Sequence, residues 1–282
     1  MTLPPDFDIR DFVQRVLAED LGRGGDVTSN ATIPEGARLA AELNARGQIV
    51  VAGIELAAAF FWELEPQVRV EQCASDGDRV EAGSTLMRLE GNAQAMLAAE
   101  RSALNTLQHL SGIATLTRRY VDAIEGTGAV LIDTRKTIPG LRLLEKYAAR
   151  MGGAENHRMR LDDGVLIKDN HVAVCGGVAE AVRRAKAAET GFQIQVEVDR
   201  IDQIEPALSA GADRLLLDNM PPPVLREAVA LVAGRVPLEA SGGVTLETVR
   251  AIAETGVDYI SVGRITQSAP AVDIGLDYLQ LH

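Results

Sequence analysis

Six apolar stretches in the second half of this chain each end in residues that a purely structural strand has no use for. They are Asp133-Thr134-Arg135-Lys136, Lys168-Asp169-Asn170-His171, Glu197 with Asp199, Asp218-Asn219, Glu239 with Ser241-Gly242-Gly243, and Gly263-Arg264. Sorted by charge, they give a cationic set (Arg135, Lys136 and Lys168, joined by Arg158) and an anionic set (Glu197 and Asp218). Guanidinium forks match planar carboxylates and phosphates, and lysine adds a point charge. The combination predicts a polyanionic substrate. The carboxylates are then left to hold hydroxyl groups or a Mg²⁺ ion, which prefers oxygen ligands and arrives with phosphates. The cations are not the by-product of a basic protein, because the formal net charge is -12 and lysine occurs only at 136, 146, 168 and 186.

Two glycine steps extend the pattern. Ser241-Gly242-Gly243 falls between a strand and what reads as a helix start, and Val262-Gly263-Arg264 repeats the strand-to-glycine step. Glycine lets a phosphate approach backbone N–H groups, and a helix N-terminus favours the charge. Each feature also has a plainer reading: Asp169, Asn170 and Asn219 suit helix capping, and most loop glycines only turn the chain. Glu197 and Lys168 resist that reading, since charged groups embedded in apolar strands are rarely buried without a partner. His157 and His171 lack an HExxH pattern or a cysteine partner, so zinc is not expected. "DGDRVEAGSTLMRLEG" is similar to the hairpins of lipoyl and biotinyl carriers but contains no lysine to modify. Cys73 and Cys175 belong to no CxxC pair and are expected as buried thiols, not as a disulfide or metal ligands.

The elements that must position these residues follow from hydrophobic period. Short apolar strands are expected at 129–133, 164–169, 194–198, 214–218, 236–241 and 259–263, separated by amphipathic helices such as 176–189 and 221–234. Continuous apolar strands alternating with helices imply a parallel sheet covered on its faces. A GxGxxG after the first strand is missing, and an eightfold barrel takes about 250 residues, so the pattern fits an incomplete parallel α/β barrel of about six strands. Enzymes of this architecture build their sites at the carboxyl ends of the strands, so the polar stops should converge on one rim. The earlier residues instead alternate like antiparallel strands between two long helical patterns, as an α+β domain would. We place the divisions at 1–112, 113–268 and 269–282, the last read as a short helix that returns to the N-terminal domain. The hydrophobic share of 46% is enough for a real core. The acidic balance argues against nucleic acid and anionic membranes as partners. With neither a bilayer-length apolar run nor a signal-like start at residues 1–5, a cytoplasmic protein is expected.

Taken together, "EDLGRGGDVTSNATIP", "ERSALNTLQHLSGIAT", "DTRKTIPGLRLLEKYA", "GGAENHRMRLDDGVLIKDNH", "VEVD", "LLLDNM", "EASGGV" and "ISVG" strongly resemble the quinolinate phosphoribosyltransferase family, in the expected order and over nearly the whole chain. The resemblance implies an N-terminal α/β sandwich followed by an incomplete α/β barrel, assembled as a homodimer or a multiple of dimers. It implies that quinolinate and 5-phosphoribosyl 1-diphosphate give nicotinate mononucleotide, diphosphate and CO₂ with Mg²⁺. Quinolinate would be met by Arg101, Thr134, Arg135, His157, Arg158 and Lys168, with Arg101 reaching across the dimer. The phosphoribosyl and metal side would fall on Lys136, Glu197, Asp218, Ser241, Gly242, Gly243, Val262, Gly263 and Arg264, with Glu197 and Asp218 nearest the metal. Chemistry would rest on Lys136, Lys168, Glu197 and Asp218. One departure stands out: where many members have three consecutive glycines before Asn-His-Arg and a glycine soon after, this chain has Gly152-Gly153-Ala154 and Arg160. Among alternatives, a related phosphoribosyltransferase acting on nicotinate or another anionic base ranks ahead of a Schiff-base aldolase using Lys168. A non-catalytic carbohydrate or phosphate binder comes last, because acids and bases share one rim.

Overall fold

Residues 3–5 and 7–279 are described by the structure, a computed structural model. Their contacts divide them into two units: the first takes the chain up to Thr117, Leu143–Gly153 and the residues from Ser268, and the second takes Arg118–Arg142 and Ala154–Gln267.

In the first unit, β1 (Arg38–Ala45), β3 (Arg69–Gln72), β5 (Thr85–Asn92) and β12 (Ile274–Leu279) form a sheet in the order β12-β1-β5-β3, and β2 (Ile49–Val50) pairs with β4 (Arg79–Val80). Alternation along β1 buries Ala41, Leu43 and Ala45, as a half-buried antiparallel strand should. The helices are α1 (Ile9–Leu21), α2 (Val27–Thr32), α3 (Ile54–Leu64), α4 (Ala93–Ala123) and α5 (Arg142–Met151). Helix α1 starts where Asp8 accepts the Asp11 N–H at 3.0 Å. On α4, the buried Ala99, Ala103, Leu107, Leu110 and Ala114 recur at helical spacing. A side chain at Gly112 of this helix would lie 2.2 Å from the Pro270 carbonyl oxygen, so only glycine admits that chain so close.

The second unit holds β6 (Val130–Ile132), β7 (Val165–Ile167), β8 (Ile194–Val198), β9 (Arg214–Asp218), β10 (Leu238–Ser241) and β11 (Tyr259–Ser261). They pair in parallel in the order β6-β11-β10-β9-β8-β7. The first and last strands do not pair with each other. Instead Glu155 meets the free side of β6, giving its N–H to Leu131 O at 2.9 Å and accepting from Asp133 N at 3.1 Å. This is the expected incomplete six-stranded barrel, and every strand falls within the expected segments. Its helices are α6 (Asp169–Cys175), α7 (Val178–Ala187), α8 (Ile204–Ala210), α9 (Pro222–Val232), α10 (Val249–Ala253) and α11 (Arg264–Gln267). Helix α9 carries its prolines at the first turn, where their missing N–H groups cost nothing.

Several expectations are corrected. The closing segment is not a helix: Ile274–Leu279 is strand β12, antiparallel to β1 with Ala45 opposite Ile274 and Ala40 opposite Leu279. Residues 280–282 of that expected helix lie outside the described residues. Helix α4 runs on through the expected division at 112/113, and Leu143–Gly153 groups by contacts with the first unit although it lies within the barrel sequence. Cys73 and Cys175 are free, but Cys73 is exposed and Cys175 half-buried, so neither is a core thiol. Among the described residues no helix is long and apolar enough to cross a membrane.

Candidate active site

Parallel pairing brings the strand ends of the second unit together around a cavity of about 700 Å³. Its wall carries Arg135, Lys136, Arg158 and Lys168 beside Glu197 and Asp218, so the two charge sets read from the sequence share one space. The other barrel residues expected at the site, Thr134, His157, Ser241, Gly242, Gly243, Val262, Gly263 and Arg264, line it too. Arg101 is exposed on α4 of the first unit.

The cations are held by their backbones more than by their heads. Asp133, fully buried after β6, accepts the Asn156 amide at 2.6 Å and the His157 N–H at 2.8 Å, tying the turn that follows β6 to residues 156–158. Thr134 Oγ1 accepts the Lys136 N–H at 3.0 Å, and Thr266 donates its hydroxyl to the Lys136 carbonyl at 2.7 Å. The Lys136 side chain runs over Gly263, where a Cβ would approach its Cδ to 2.7 Å. Arg135 Nε is buried with no hydrogen-bond partner among the described residues. Arg158 Nη1 donates to Gly164 O at 3.0 Å. Burial, and then the charge of Arg135, holds the Arg158 guanidinium below its ordinary pKa, against the opposing pull of Asp163. Two guanidiniums that repel each other in partial burial are a site prepared for an anion.

The acids face the opposite problem. Lys168 Nζ donates to Glu197 Oε2 at 2.7 Å. Burial, and then the charge of Glu197, raises the Asp218 pKa above the usual aspartate value, despite the Asn219 amide at 2.7 Å and the charges of Lys168 and Lys136. Asn219 does not cap a helix: its backbone is left-handed, at φ 54, and its amide holds Asp218. Nor does Asp169 cap in the expected sense. It accepts the neighbouring Asn170 N–H at 2.7 Å, while His171 Nδ1 accepts the Lys168 N–H at 2.9 Å.

Ser241-Gly242-Gly243 does not lead directly into a helix, because α10 starts only at Val249 and is one turn long. The glycines instead take successive left-handed conformations, φ 96 and 60, a backbone that favours glycine over other residues. A side chain at Gly242 would fall 2.2 Å from Asn219 Oδ1 and 2.9 Å from its backbone nitrogen, so the turn and the Asp218 support are packed as one piece.

Beneath this rim lies a polar layer in which Glu239 and His157 meet Gln195 and Arg214, two residues the sequence did not single out. Glu239 is fully buried, and its Oε2 accepts the Gln195 amide at 2.7 Å and Arg214 Nη2 at 2.8 Å, with His157 Nε2 at 3.4 Å. The Arg214 guanidinium lies over the Tyr259 ring at 3.9 Å. Burial pushes the Glu239 carboxyl up, but His157, Arg214 and Gln195 together hold it below its ordinary value. The signal that could have found this layer is the one that found Glu197: polar residues at inward positions of strands that are otherwise apolar.

Comparisons with known proteins cover nearly the whole chain. Residues 26–111 match the family described as quinolinate phosphoribosyl transferase, N-terminal domain, and residues 113–277 match its C-terminal domain. A relative from Mycobacterium leprae named nicotinate-nucleotide pyrophosphorylase [carboxylating] is 44% identical over 95% of this chain and 96% of its own. One from Nicotiana glauca named quinolinate phosphoribosyltransferase [decarboxylating] 2, mitochondrial, is 43% identical over 96% of this chain and 82% of its own. The crystal structure of nicotinate-nucleotide pyrophosphorylase from Ehrlichia chaffeensis superposes with a TM-score of 0.93 at 43% identity, covering 97% of this chain and all of the other.

Proposed function

Because this chain belongs to the quinolinate phosphoribosyltransferase family, we propose that its barrel joins quinolinate to 5-phosphoribosyl 1-diphosphate, releasing diphosphate and CO₂ and leaving nicotinate mononucleotide. The observation that carries the reading is one cavity in which five cations (Arg135, Lys136, Arg158, Lys168 and Arg264) are gathered with the carboxylates of Asp169, Glu197, Asp218 and Glu239. Quinolinate brings two adjacent carboxylates, and the ribosyl donor brings a phosphate and a diphosphate. Gathering these charges in one space is unfavourable unless fixed cations are already there.

Arg135 and Arg158 supply forks for the pyridine carboxylates, and Lys168 adds a charge. Lys136 and the Ser241-Gly242-Gly243 turn face the phosphates of the donor. As diphosphate departs, positive charge grows on the ribosyl C1 and ring oxygen, and Glu197 and Asp218 stabilise it or hold the ribose hydroxyls. The pyridine nitrogen attacks C1 and becomes cationic. That charge stabilises the carbanion left at C2 when the adjacent carboxylate departs as CO₂, and a proton completes the ring.

Glu197 and Asp218 suit a Mg²⁺ ion. They are hard oxygen donors, and the like-charge contribution that raises the Asp218 pKa is what a divalent cation would relieve. Bound with the donor, such an ion would neutralise charge on the departing diphosphate. The resemblance further supports a homodimer in which Arg101 completes the partner's site, and a cytoplasmic enzyme.

Incubation with quinolinate, the ribosyl donor and Mg²⁺ tests the reading, with nicotinate mononucleotide and CO₂ as the expected products. Comparable turnover of nicotinate would replace it with the related single-carboxylate activity.

A further inference from the structure

The reaction proposed above ends with a proton reaching the pyridine C2, and that proton needs a source. We propose that a second cavity, at the other end of the barrel, is a water chamber that supplies it, with Glu239 holding the last water of the path. The identity of the substrate rests on the functional reading above; the chamber and its waters do not.

The first ground is position. The lower cavity, about 290 Å³, is walled by Val165 and Arg214, the first residues of β7 and β9, and by Gln193 just before β8. The catalytic cavity lies at the opposite ends of the same strands, at Lys168, Glu197 and Asp218. His157, Arg158 and Leu166 line both. The two spaces therefore meet inside the barrel, beside cations assigned to the pyridine carboxylates. A closed barrel fills such a space with side chains. Here β7 is a terminal strand of the sheet, and the space stays open.

The second ground is a pair of buried polar atoms that call for water. Glu239 lines the catalytic cavity and is 0% exposed, yet its Oε1 has no partner among the described residues. Arg214 lines the lower cavity, and its buried Nε has no partner among them either. The two side chains are themselves joined. Arg214 Nη2 donates to Glu239 Oε2 at 2.8 Å, and Gln195, also on the lower cavity, donates its amide to the same oxygen at 2.7 Å. One hydrogen-bonded partition thus carries an orphaned acceptor and an orphaned donor. Buried groups of this kind are satisfied by ordered water, and a water takes up about 30 Å³, so the chamber has room for several.

The third ground is what the chemistry needs. When the bond from C2 to its carboxylate breaks, the electron pair stays on C2 and CO₂ leaves. C2 must then bond to hydrogen. Glu239 has no proton to give, because its charged and hydrogen-bonding neighbours hold it below its ordinary pKa despite burial. A water that donates one hydrogen to Glu239 Oε1 keeps its other hydrogen for C2. A carbanion on the pyridine ring is a stronger base than hydroxide, so the transfer runs downhill. The hydroxide left behind takes a proton passed in from solvent through the chamber, and atoms and charge balance. Diphosphate and ribose fill the rim at that moment, and a path from below does not cross them.

The test uses the full chain. A crystal structure of the unliganded enzyme is expected to show ordered waters in the lower cavity and one within hydrogen-bond distance of Glu239 Oε1; a dry chamber would overturn the proposal whatever the substrate. Wild-type turnover of quinolinate is established next, and its failure would count against the functional reading while leaving the crystallographic arm intact. Enzyme equilibrated in tritiated water is then mixed with excess unlabelled water and both substrates for a single turnover. Tritium should be absent from C2, since water in an open chamber exchanges before the chemistry. Tritium retained there would identify a sheltered side-chain acid as the donor and overturn the proposal. Two variants close the path at residues that do not line the catalytic cavity: Gln193→Trp at the exposed mouth and Gln195→Met in the partition. Each is expected to slow single-turnover formation of nicotinate mononucleotide about tenfold or more, as loss of a proton-transfer partner does, with both KM values within about twofold. Either variant suffices if the other does not fold. An unchanged rate in a folded variant whose chamber is filled would sink the idea, as would a rise in KM that matches the loss of rate.

Discussion

At Glu197 and Asp218 two carboxylates share a cavity, and one of them is held away from its ordinary ionisation. Burial and the Glu197 charge raise the Asp218 pKa, so the folded form keeps the Asp218 proton more tightly than the unfolded chain does. Ionising Asp218 as pH rises therefore weakens folding. Asp218→Asn should therefore raise the melting temperature at pH 7, by an amount that vanishes at a pH low enough to protonate aspartate in both states, while activity is lost. A variant that melts lower than wild type at pH 7 would contradict this cause. The same shift places the acid limb of the kcat/KM profile above the usual aspartate range. Glu197→Gln removes one of its two causes, so the residual activity should fall off at lower pH than in wild type. If Glu197 meets charge that develops only as diphosphate leaves, as the proposed reaction has it, that variant should also lose kcat by about 100-fold or more while quinolinate binding changes little, as for removal of a charge-stabilising group. Equal losses in both would put Glu197 in ground-state binding instead.

Elements decide what these residues can reach, and here two glycines that look alike in sequence differ. At Gly263 an added methyl would press on Lys136 Cδ, a flexible side chain that can swing away. Gly263→Ala is expected to leave thermal stability within about 2 °C, as a change below roughly 1 kcal/mol would, and to raise the ribosyl-donor KM about tenfold by displacing Lys136. At Gly242 the methyl would strike Asn219, including its backbone, at a φ of 96 that already disfavours side chains. Gly242→Ala should lower the melting temperature clearly. Comparable melting curves for the two would remove the distinction.

The same scale shows what the chain's pattern made legible. All six barrel strands were readable because parallel strands buried on both faces are short, apolar and β-branched. The closing strand was misread although Ile274, Leu276 and Tyr278 alternate with period two. A six-residue run is too short for period alone, and its partner β1 lies at the other end of the sequence. Residues 143–153 were assigned to the barrel for the same reason, since only three-dimensional contacts, such as Tyr147 donating to Asp76 at 2.6 Å, show which core they join. The rim residues were legible because charge at the end of an apolar strand has few structural uses. Glu239 stood in that same pattern, but its partners Gln195 and Arg214 come from other strands, and only the barrel's closure puts them at one carboxylate.

For the whole molecule the open element is Arg101, exposed on α4 in the unit that does not contain the cavity. An exposed helix arginine is ordinarily a solvated one. The family resemblance gives it a task in the partner's barrel, so each site would need two chains. Co-expression of Arg101→Ala chains with Lys168→Ala chains separates these cases. If Arg101 acts across a two-fold dimer, a mixed dimer holds one site with both residues intact and one with neither. Random pairing makes about half the dimers mixed, so activity should return to roughly a quarter of wild type on the isologous geometry of such dimers. If Arg101 serves its own chain, no mixed dimer contains an intact site, and mixtures will be no more active than the separate variants. Tagging the two chains differently and isolating the doubly tagged species shows that mixed dimers formed. An inactive doubly tagged species would rule out the shared site and leave Arg101 as surface.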